Sequence, residues 1–223
     1  MKQTPPKRVV LLANGDLREP AYARSLIRAD DVVIVANGGT RLAYEMDVVP
    51  DMLIGDHDSL PEHLRLWLEK HEVPYDEHPA EKDATDLELA LHHAISLGRG
   101  SRLSILFLGL TGSRTDHTLG NFSLLVLAGE ANVPAEVVVG REHIYLVYDE
   151  LELIGEAGQT VSLLPWGGDA HNVHTEGLKW ELRGETLPFG PARGISNIMR
   201  DTQARISLTA GMLMVCHHRG EVR

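Results

Sequence analysis

Long apolar runs without polar alternation constrain this chain more than any other feature. The runs VVIVA at 32–36 and LSILFL at 103–108 are apolar at nearly every position, which is typical of strands buried on both faces of a parallel sheet. Helix-like segments separate such runs, and this βαβ rhythm predicts an α/β domain with a mostly parallel sheet. The predicted strands are 8–13, 32–36, 52–54 and 103–108, and the predicted helices are 21–29, 61–71, 83–97 and 116–129.

The rhythm changes after about residue 135. Short runs rich in Val, Ile, Leu, Tyr and Thr follow one another between Gly, Pro, Asn and Asp, and no long amphipathic helix interrupts them. This pattern predicts an all-β, sandwich-like domain. We therefore expect two domains, 1–135 and 136–223, although AEVVVG at 135–140 fits the last strand of the first domain equally well.

The charge and the cysteine content argue against several classes of protein. A formal charge of −11 at pH 7 disfavours a nucleic acid partner, since such binding needs many Lys and Arg side chains. Cys216 is the only cysteine, which fits a reducing compartment. No apolar run could span a bilayer, and VVLLA at 9–13 is too short for a signal-peptide core. We expect a cytoplasmic protein without a membrane or nucleic acid partner.

Polar residues gather after the predicted strands of the first domain, where open α/β sheets bind ligands. The segment ANGGT at 36–40 is the first example, with Gly38 and Gly39 directly after a strand. Glycine lets a ligand approach the backbone closely. A plain strand-to-helix turn explains these glycines equally well.

The segment IGDHDS at 54–59 places two acids after the next strand. Asp56 and Asp58 can both face a divalent cation if the chain bends there, and oxygen ligands suit magnesium. One of Asp58 and Ser59 could instead cap the following helix. A cap does not explain Asp56, which favours a metal role for the pair.

The segment EKDATDLELALHHA at 81–94 adds two acids and a base. Asp83 and Asp86 are three residues apart, so a helix that begins at 83 would hold both in its first turn. Acids are favoured at helix N-termini in any case. Lys82, however, offers a phosphate contact beside possible metal ligands, a combination that phosphoryl transfer requires.

The segment GLTGSRTDHTLGN at 109–121 follows the strand LSILFL. Arg114 is a bidentate donor suited to phosphate, and Asp116 and His117 stand near the start of the next predicted helix. A helix cap explains Asp116 but leaves the other two unexplained. Together the segments predict a site for magnesium and a polyphosphate, although the common nucleotide motifs GxxxxGK[ST] and GxGxxG are absent.

In order and spacing, these segments resemble the thiamin pyrophosphokinase family. The resemblance runs through ANGGTRLAYEMDVVPDMLIGDHDS, EKDATDLELAL and GSRTDHTLGN, and more faintly through VSLLPWGG, GLKWEL and GISN. It implies an α/β ATP-binding domain, a β-sandwich thiamin-binding domain and a homodimer with active sites between the subunits. It also implies ATP and thiamin as substrates and Mg²⁺ as the cofactor.

The resemblance also implies a role for each matching residue. The catalytic set would be Asp56, Asp58, Asp83 and Asp86, and Mg²⁺ would be held by Asp56, Asp58 and Asp86. The ATP side would comprise Asn37, Gly38, Gly39, Lys82, Arg114, Asp116 and His117. The thiamin side would include Ser196 and Asn197, for which an ordinary turn is the plain alternative.

Two positions depart from the family pattern. The family usually has Asp where this chain has Asn37, which keeps a hydrogen-bonding oxygen but loses a negative charge. The family commonly reads GDFDS, and His57 stands here in place of the Phe. On extended backbone His57 would point away from its acidic neighbours, so we expect that change to be tolerated.

The reaction that the resemblance implies is attack by the hydroxyethyl oxygen of thiamin on the β-phosphorus of ATP, with Asp86 or Asp58 as possible proton acceptors. Three rivals remain: a diphosphokinase for a pterin-type alcohol, a non-catalytic thiamin or nucleotide sensor, and a metal-dependent phosphohydrolase. Asn37 keeps the first two open. The GISN segment disfavours the first and third, and the number of adjacent acids disfavours the sensor.

Overall fold

The computed structural model describes residues 7–56, 59–77, 83–98 and 103–220. The chain divides into two compact units, the first ending at Gly140 and the second beginning at Arg141. The division falls after the run AEVVV rather than at residue 135, because that run pairs with a strand of the first unit. No helix in these ranges is long and apolar enough to cross a membrane.

The first unit is an α/β layer structure. Its strands are β1 Lys7–Leu12, β2 Val32–Ala36, β3 Met52–Gly55, β4 Tyr75–Glu77, β5 Leu103–Leu108 and β6 Ala135–Val139. Its helices are α1 Pro20–Leu26, α2 Thr40–Glu45, α3 Glu62–Lys70, α4 Asp86–Leu97 and α5 Thr115–Glu130. The strands lie in the order β6-β5-β1-β2-β3-β4 and every neighbouring pair is parallel. The predicted α/β domain with a mostly parallel sheet is confirmed.

Helix α4 shows how residue spacing directs the packing of this unit. Its buried residues recur at intervals of three and four, which places them on one face of a helix. They are Leu87, Ala90, Leu91 and Ala94. This apolar face packs on β1, β2 and β3, so the start of α4 lies at the carboxyl ends of those strands.

The start of α4 differs from the prediction. The hydroxyl of Thr85 accepts a hydrogen bond from the backbone N–H of Glu88 at 3.2 Å and caps the helix. The helix therefore begins at Asp86 rather than at 83. The prediction that Asp83 shares the first turn with Asp86 is wrong, because the cap at Thr85 leaves Asp83 in an exposed bend before the helix.

The strand order reverses between β1 and β5. From β1 the chain builds β2, β3 and β4 on one side, and β5 then pairs with β1 on the other side. In open α/β sheets the ligand crevice lies outside the carboxyl ends of the strands at such a reversal. Here the loops after β1 and β5 meet, since the N–H of Gly15 donates to the carbonyl of Gly109 at 2.7 Å.

The second unit is built from antiparallel strands. They are β7 Glu142–Val147, β8 Glu150–Ile154, β9 Thr160–Pro165, β10 Ala170–Glu176, β11 Arg183–Leu187, β12 Asn197–Ile198, β13 Gln203–Ser207 and β14 Leu213–His218. They form the two sets β12-β9-β14-β7 and β11-β10-β13-β8. One apolar core draws buried side chains from both sets, such as Val161 and Leu213 from the first and Val173 and Ile206 from the second. The predicted all-β, sandwich-like domain is confirmed.

One of the short runs from which strands are predicted after residue 135 is not a strand. The run GLKWELRG at 177–184 connects β10 to β11, and only its last two residues are in a strand. The strand β10, AHNVHTE, has no apolar run to reveal it, because only Ala170, Val173 and Thr175 point into the core. The burial of β10 depends on tertiary contacts that its sequence pattern does not indicate.

The tight contact between the ANGGT turn and β1 generates a stability prediction. A Cβ at Gly39 would lie 2.1 Å from the carbonyl oxygen of Leu12 and 2.7 Å from its carbonyl carbon. Because backbone cannot yield as a flexible side chain does, Gly39→Ala should lower the free energy of unfolding by about 2 kcal/mol or more, measured by urea denaturation.

Gly120→Ala in α5 is the matched control. A Cβ at Gly120 would meet no described atom within 4 Å, so replacing this helical glycine should raise the free energy of unfolding by up to about 1 kcal/mol. Equal stability of the two variants would contradict the close approach at Gly39.

Candidate active site

A cavity of about 390 Å³ opens in the first unit where the strand order reverses. Its walls come from the loops that follow β1, β2 and β5 and from the first turns of α4 and α5. The described residues that line it are Ala13, Asn14, Gly15, Ala36, Asn37, Gly38, Thr85, Asp86, Leu87, Leu110, Gly112, Ser113, Arg114, His117, Thr118 and Asn121. The cavity therefore collects polar side chains from segments that are far apart along the chain.

Helix α5 turns a polar face towards this cavity. Arg114, His117, Thr118 and Asn121 follow the spacing three, four and seven, which is one face of a helix. The side-chain amide of Asn121 donates to the carbonyl of Leu110 at 2.8 Å. This hydrogen bond ties α5 to the loop after β5 and fixes that wall of the cavity.

The turn after β2 depends on an unusual backbone conformation at Asn37. Its φ of 37° lies in the left-handed region, which Asn and Asp tolerate better than other non-glycine residues. The Nδ2 group of Asn37 donates to Oγ of Ser59 at 3.1 Å, and that hydroxyl donates to the carbonyl of Asp56 at 2.9 Å. The turn after β2 is thus hydrogen-bonded to the loop that carries Asp56.

The role of a helix cap, which the sequence allowed for Ser59, is wrong. Helix α3 begins at Glu62 with Pro61 as its N-cap, and the side chain of Pro61 makes no capping hydrogen bond. The hydroxyl of Ser59 is used by Asp56 and Asn37 instead. Asp58 and His57 lie outside the described residues.

Gly55 brings Asn37 and Asp86 together next to Asp56. Gly55 has a φ of 140°, and a Cβ there would lie 2.8 Å from Cβ of Asn37 and 3.0 Å from Cγ of Asp86. A side chain at position 55 would therefore occupy the space that these two groups share. Asp56 follows directly, so the ends of β2 and β3 and the start of α4 supply polar groups to one place.

The carboxylates near the cavity can be compared with the predicted magnesium site. Within the described ranges, no group of three or more His, Cys, Asp or Glu could hold a metal ion by protein ligands alone. Mg²⁺, however, is usually bound through one or two carboxylates together with waters and substrate phosphates. Asp56 and Asp86 beside an open cavity fit that type of site.

The structure brings together some predicted site residues and not others. Of the predicted set, the cavity is lined by Asn37, Gly38, Asp86, Arg114 and His117. The described residues of the set that do not line it are Gly39, Asp56, Asp83 and Asp116 in the first unit and Ser196 and Asn197 in the second. Asp58 and Lys82 lie outside the described residues. Gly39 is buried beneath the turn, where it allows the close approach to β1.

Arg114 and Asp116 form a bidentate ion pair at the rim of the cavity. Nη2 of Arg114 donates to Oδ2 of Asp116 at 2.6 Å, and Nε donates to Oδ1 at 3.2 Å. The hydrogen bonds from Arg114 and, to a smaller extent, from the backbone N–H of His117 together lower the pKa of Asp116 to about 2. Asp116 is therefore held ionised by Arg114 rather than acting as a helix cap.

The two residues of GISN have different surroundings. Ser196 is exposed, with a left-handed φ of 62°, and its N–H donates to Oγ of Ser162 at 3.0 Å. Asn197 is buried, and its amide bonds the backbone of Trp180 twice, accepting from the N–H at 3.0 Å and donating to the carbonyl at 2.7 Å. Trp180 is 56% exposed, so Asn197 anchors a loop that carries an exposed aromatic residue.

Sequence reasoning missed several residues of the cavity. Those with a polar side chain or a required glycine are Asn14, Gly15, Thr85, Ser113 and Asn121. The Asn-Gly pair after β1 was a turn signal, but no local pattern shows that β1 and β5 are neighbours in the sheet. Trp180 was likewise hidden in a run that resembled a strand.

Comparisons with protein families and with individual proteins give matches along most of the chain. The model of the family "Thiamin pyrophosphokinase, catalytic domain" matches residues 23–137, and that of "Thiamin pyrophosphokinase, vitamin B1 binding domain" matches residues 149–213. The chain is also 30% identical over 181 residues to thiamine pyrophosphokinase from Bacillus subtilis, covering 79% of this chain and 82% of that relative. The chain belongs to the thiamin pyrophosphokinase family.

Solved structures of thiamin pyrophosphokinases have the same fold. The crystal structure of the Bacillus subtilis enzyme superposes with a TM-score of 0.84 at 25% identity, covering 96% of this chain and all of that one (100%). The enzyme from Geobacillus thermodenitrificans superposes with a TM-score of 0.80 at 24% identity, covering 96% of this chain and 98% of that one. The second likeness concerns the fold alone.

The backbone conformation at Asn37 generates a stability prediction. Asn37→Ala and Asn37→Gly both remove the amide that donates to Ser59, so the difference between them isolates the backbone. Ala is strained at a φ of 37° and glycine is not, so the Gly variant should be more stable by about 1 kcal/mol in urea denaturation. An Ala variant at least as stable as the Gly variant would refute the left-handed conformation.

The pair of Arg114 and Asp116 generates a prediction on pH. The pKa of Asp116 falls from 3.8 to about 2 in the folded chain, so the pair stabilises the fold above the ordinary pKa and loses its effect as the pH falls towards 2. In a carboxyl chemical-shift titration, Asp116 should stay ionised at pH 3. In Arg114→Gln its midpoint should return towards 3.8, and an unchanged midpoint would show that Arg114 is not the cause.

Proposed function

We propose that this chain is a thiamin diphosphokinase, which transfers a diphosphate group from ATP to thiamin and forms thiamin diphosphate and AMP. The observation that carries the proposal is the cavity at the strand reversal. Acidic Asp86 and basic Arg114 both line it, and the loop that carries Asp56 lies next to Asp86. The match of both family models along the chain supports the same reaction.

The charges around the cavity suit a complex of Mg²⁺ with a polyphosphate. Asp56 and Asp86 would hold Mg²⁺, with Asp58 as a third ligand, and the ion when bound would neutralise charge on the phosphates. Arg114 would contact phosphate oxygens, since its guanidinium is a fork-shaped donor. On the ATP side, Asn37, Gly38, Gly39, Lys82, Asp116 and His117 complete the proposed set, and Asp83 stays in the catalytic set.

The proposed chemistry is a single displacement at phosphorus. The hydroxyl oxygen of thiamin forms a bond to the β-phosphorus, the bond from that phosphorus to the oxygen of the α-phosphate breaks, and AMP leaves. The alcohol loses its proton late in this step to a carboxylate of the aspartate cluster. Most of the rate enhancement would come from holding the reactants in line, as in other phosphoryl transfers.

The thiamin side is proposed to lie in the second unit. Ser196 is exposed and available to a ligand, whereas Asn197 would act by holding the loop of Trp180. The resemblance further implies a homodimer with active sites between subunits, and we retain that assembly as part of the proposal. A cytoplasmic location stays a prediction from the sequence.

The rivals are less well supported. A pterin-type acceptor gains no support from the relatives, which carry the name thiamine pyrophosphokinase. A phosphohydrolase would have no use for the vitamin B1 binding domain that matches residues 149–213. A non-catalytic sensor would have no need of several acids next to one another in the first unit. Asn37 no longer favours a rival, because its hydrogen bond and backbone conformation account for its presence.

The deciding experiment incubates the purified chain with ATP, Mg²⁺ and thiamin and separates the products by chromatography. We expect AMP and thiamin diphosphate in equal amounts and no ADP. Failure to form AMP with thiamin, in a sample that binds ATP, would overturn the proposal. A pterin alcohol would then be the first alternative acceptor to test.

Two aspartate variants test the metal site. Asp56→Asn and Asp86→Asn should each lower kcat by about 100-fold or more, because each removes a proposed ligand of Mg²⁺. Each should also weaken Mn²⁺ binding in electron paramagnetic resonance, which does not depend on turnover. Glu150→Gln is the control, since Glu150 is an exposed acid on β8 in the second unit. Retention of full activity by both aspartate variants would exclude the site.

A further inference from the structure

Arg114 and Asp116 differ in their position relative to the cavity. Arg114 is the residue before α5 and lines the cavity, whereas Asp116, in the first turn of α5, does not line it. Both side chains are 66% exposed. An exposed ion pair contributes little to stability, so stability alone does not account for this arrangement.

The geometry of the pair leaves one edge of the guanidinium for another anion. Asp116 receives its two hydrogen bonds from Nε and Nη2, so it occupies the side of the fork. One N–H of Nη1 and the second N–H of Nη2 form the adjacent outer edge, which is not used by Asp116. A guanidinium can hold a carboxylate on one edge and a phosphate on the other, because its donors are fixed in one plane.

A direct contact between Asp116 and a polyphosphate is unfavourable. Both groups are anionic, and like charges at contact distance repel. The carboxylate is already compensated by Arg114 and by the N–H of His117. Without Asp116, the long side chain of Arg114 would have to be ordered when phosphate binds, at a cost in conformational entropy.

We propose that Asp116 is a positioning residue, which holds Arg114 so that the outer edge of its guanidinium faces the phosphates of the nucleotide. This inference rests on the proposed function, because it takes the polyphosphate of ATP as the ligand of the cavity. It changes the role of Asp116 from a nucleotide contact to a support for one. It also requires Arg114 and Asp116 to act as a unit.

The alternative is that Asp116 competes with phosphate for Arg114. The two roles predict opposite effects of the same substitution. If Asp116 positions Arg114, removing its charge weakens nucleotide binding. If Asp116 competes with phosphate, removing its charge strengthens nucleotide binding.

The test is isothermal titration calorimetry of the full chain with a non-hydrolysable ATP analogue in the presence of Mg²⁺. Asp116→Asn keeps the shape of the side chain and its oxygen for the N–H of His117, but it loses the charge and the bidentate contact. We expect its Kd to rise about 10-fold, as for the loss of one charge-assisted hydrogen bond. Arg114→Gln should raise Kd at least as much, and the double variant should be no weaker than Arg114→Gln alone.

Two controls separate positioning from a general structural effect. The affinity for adenosine, which lacks phosphates, should not change in Asp116→Asn. Glu150→Gln breaks another exposed pair, with Arg205 in the second unit, and should leave the affinity for the ATP analogue unchanged. The melting temperature of Asp116→Asn should stay close to that of the wild type.

Three results would overturn the inference. They are an unchanged or lower Kd for the ATP analogue in Asp116→Asn, an equal loss of affinity for adenosine, and additive effects in the double variant. A wild-type chain that binds no nucleotide would overturn the proposed function as well. Normal wild-type binding with any of the three results overturns the role of Asp116 alone.

Discussion

The contact between the loops after β1 and β5 is the constraint on which the rest of the candidate site depends. The N–H of Gly15 donates to the carbonyl of Gly109, and the N–H of Asp16 donates to the carbonyl of Thr111 at 2.6 Å. A Cβ at Gly15 would lie 2.2 Å from the carbonyl oxygen of Gly109, so only glycine allows this approach. Arg41 reinforces it by donating to the carbonyl of Gly15 at 2.8 Å.

This contact sets where the charged groups stand. The loop after β5 continues to Arg114 and α5, so its anchorage on β1 fixes the basic side of the cavity. On the other side, Gly55 and the left-handed Asn37 allow the strand ends and α4 to approach closely. Backbone conformations that are costly elsewhere often gather at functional sites, and here they bring Asp86 and the Asp56 loop to a cavity that Arg114 also lines.

The residue at position 37 affects both the backbone of the turn after β2 and the charge of the candidate site. Asn tolerates the left-handed backbone as well as Asp does, and it donates a hydrogen bond to Ser59 that a carboxylate could not donate. Its side chain lies beside Gly55 and Asp86, so replacing the usual Asp also removes a negative charge next to the acids. Asn37 therefore supports the turn after β2 without adding a negative charge to the site.

The sequence by itself determined the two kinds of domain, because uninterrupted apolar strands between helices and short strands between turn residues are patterns that local burial imposes. It also predicted Asn37, Asp86, Arg114 and His117, which line the cavity and each stand directly after a strand or at a helix start. It could not identify Asn14 or Asn121, or place Asp116 outside the cavity lining. Those outcomes depend on β1 pairing with β5, on the Thr85 cap and on the direction of side chains around α5. Only the tertiary structure decides them, because they arise from contacts between residues distant in sequence, which no local pattern encodes.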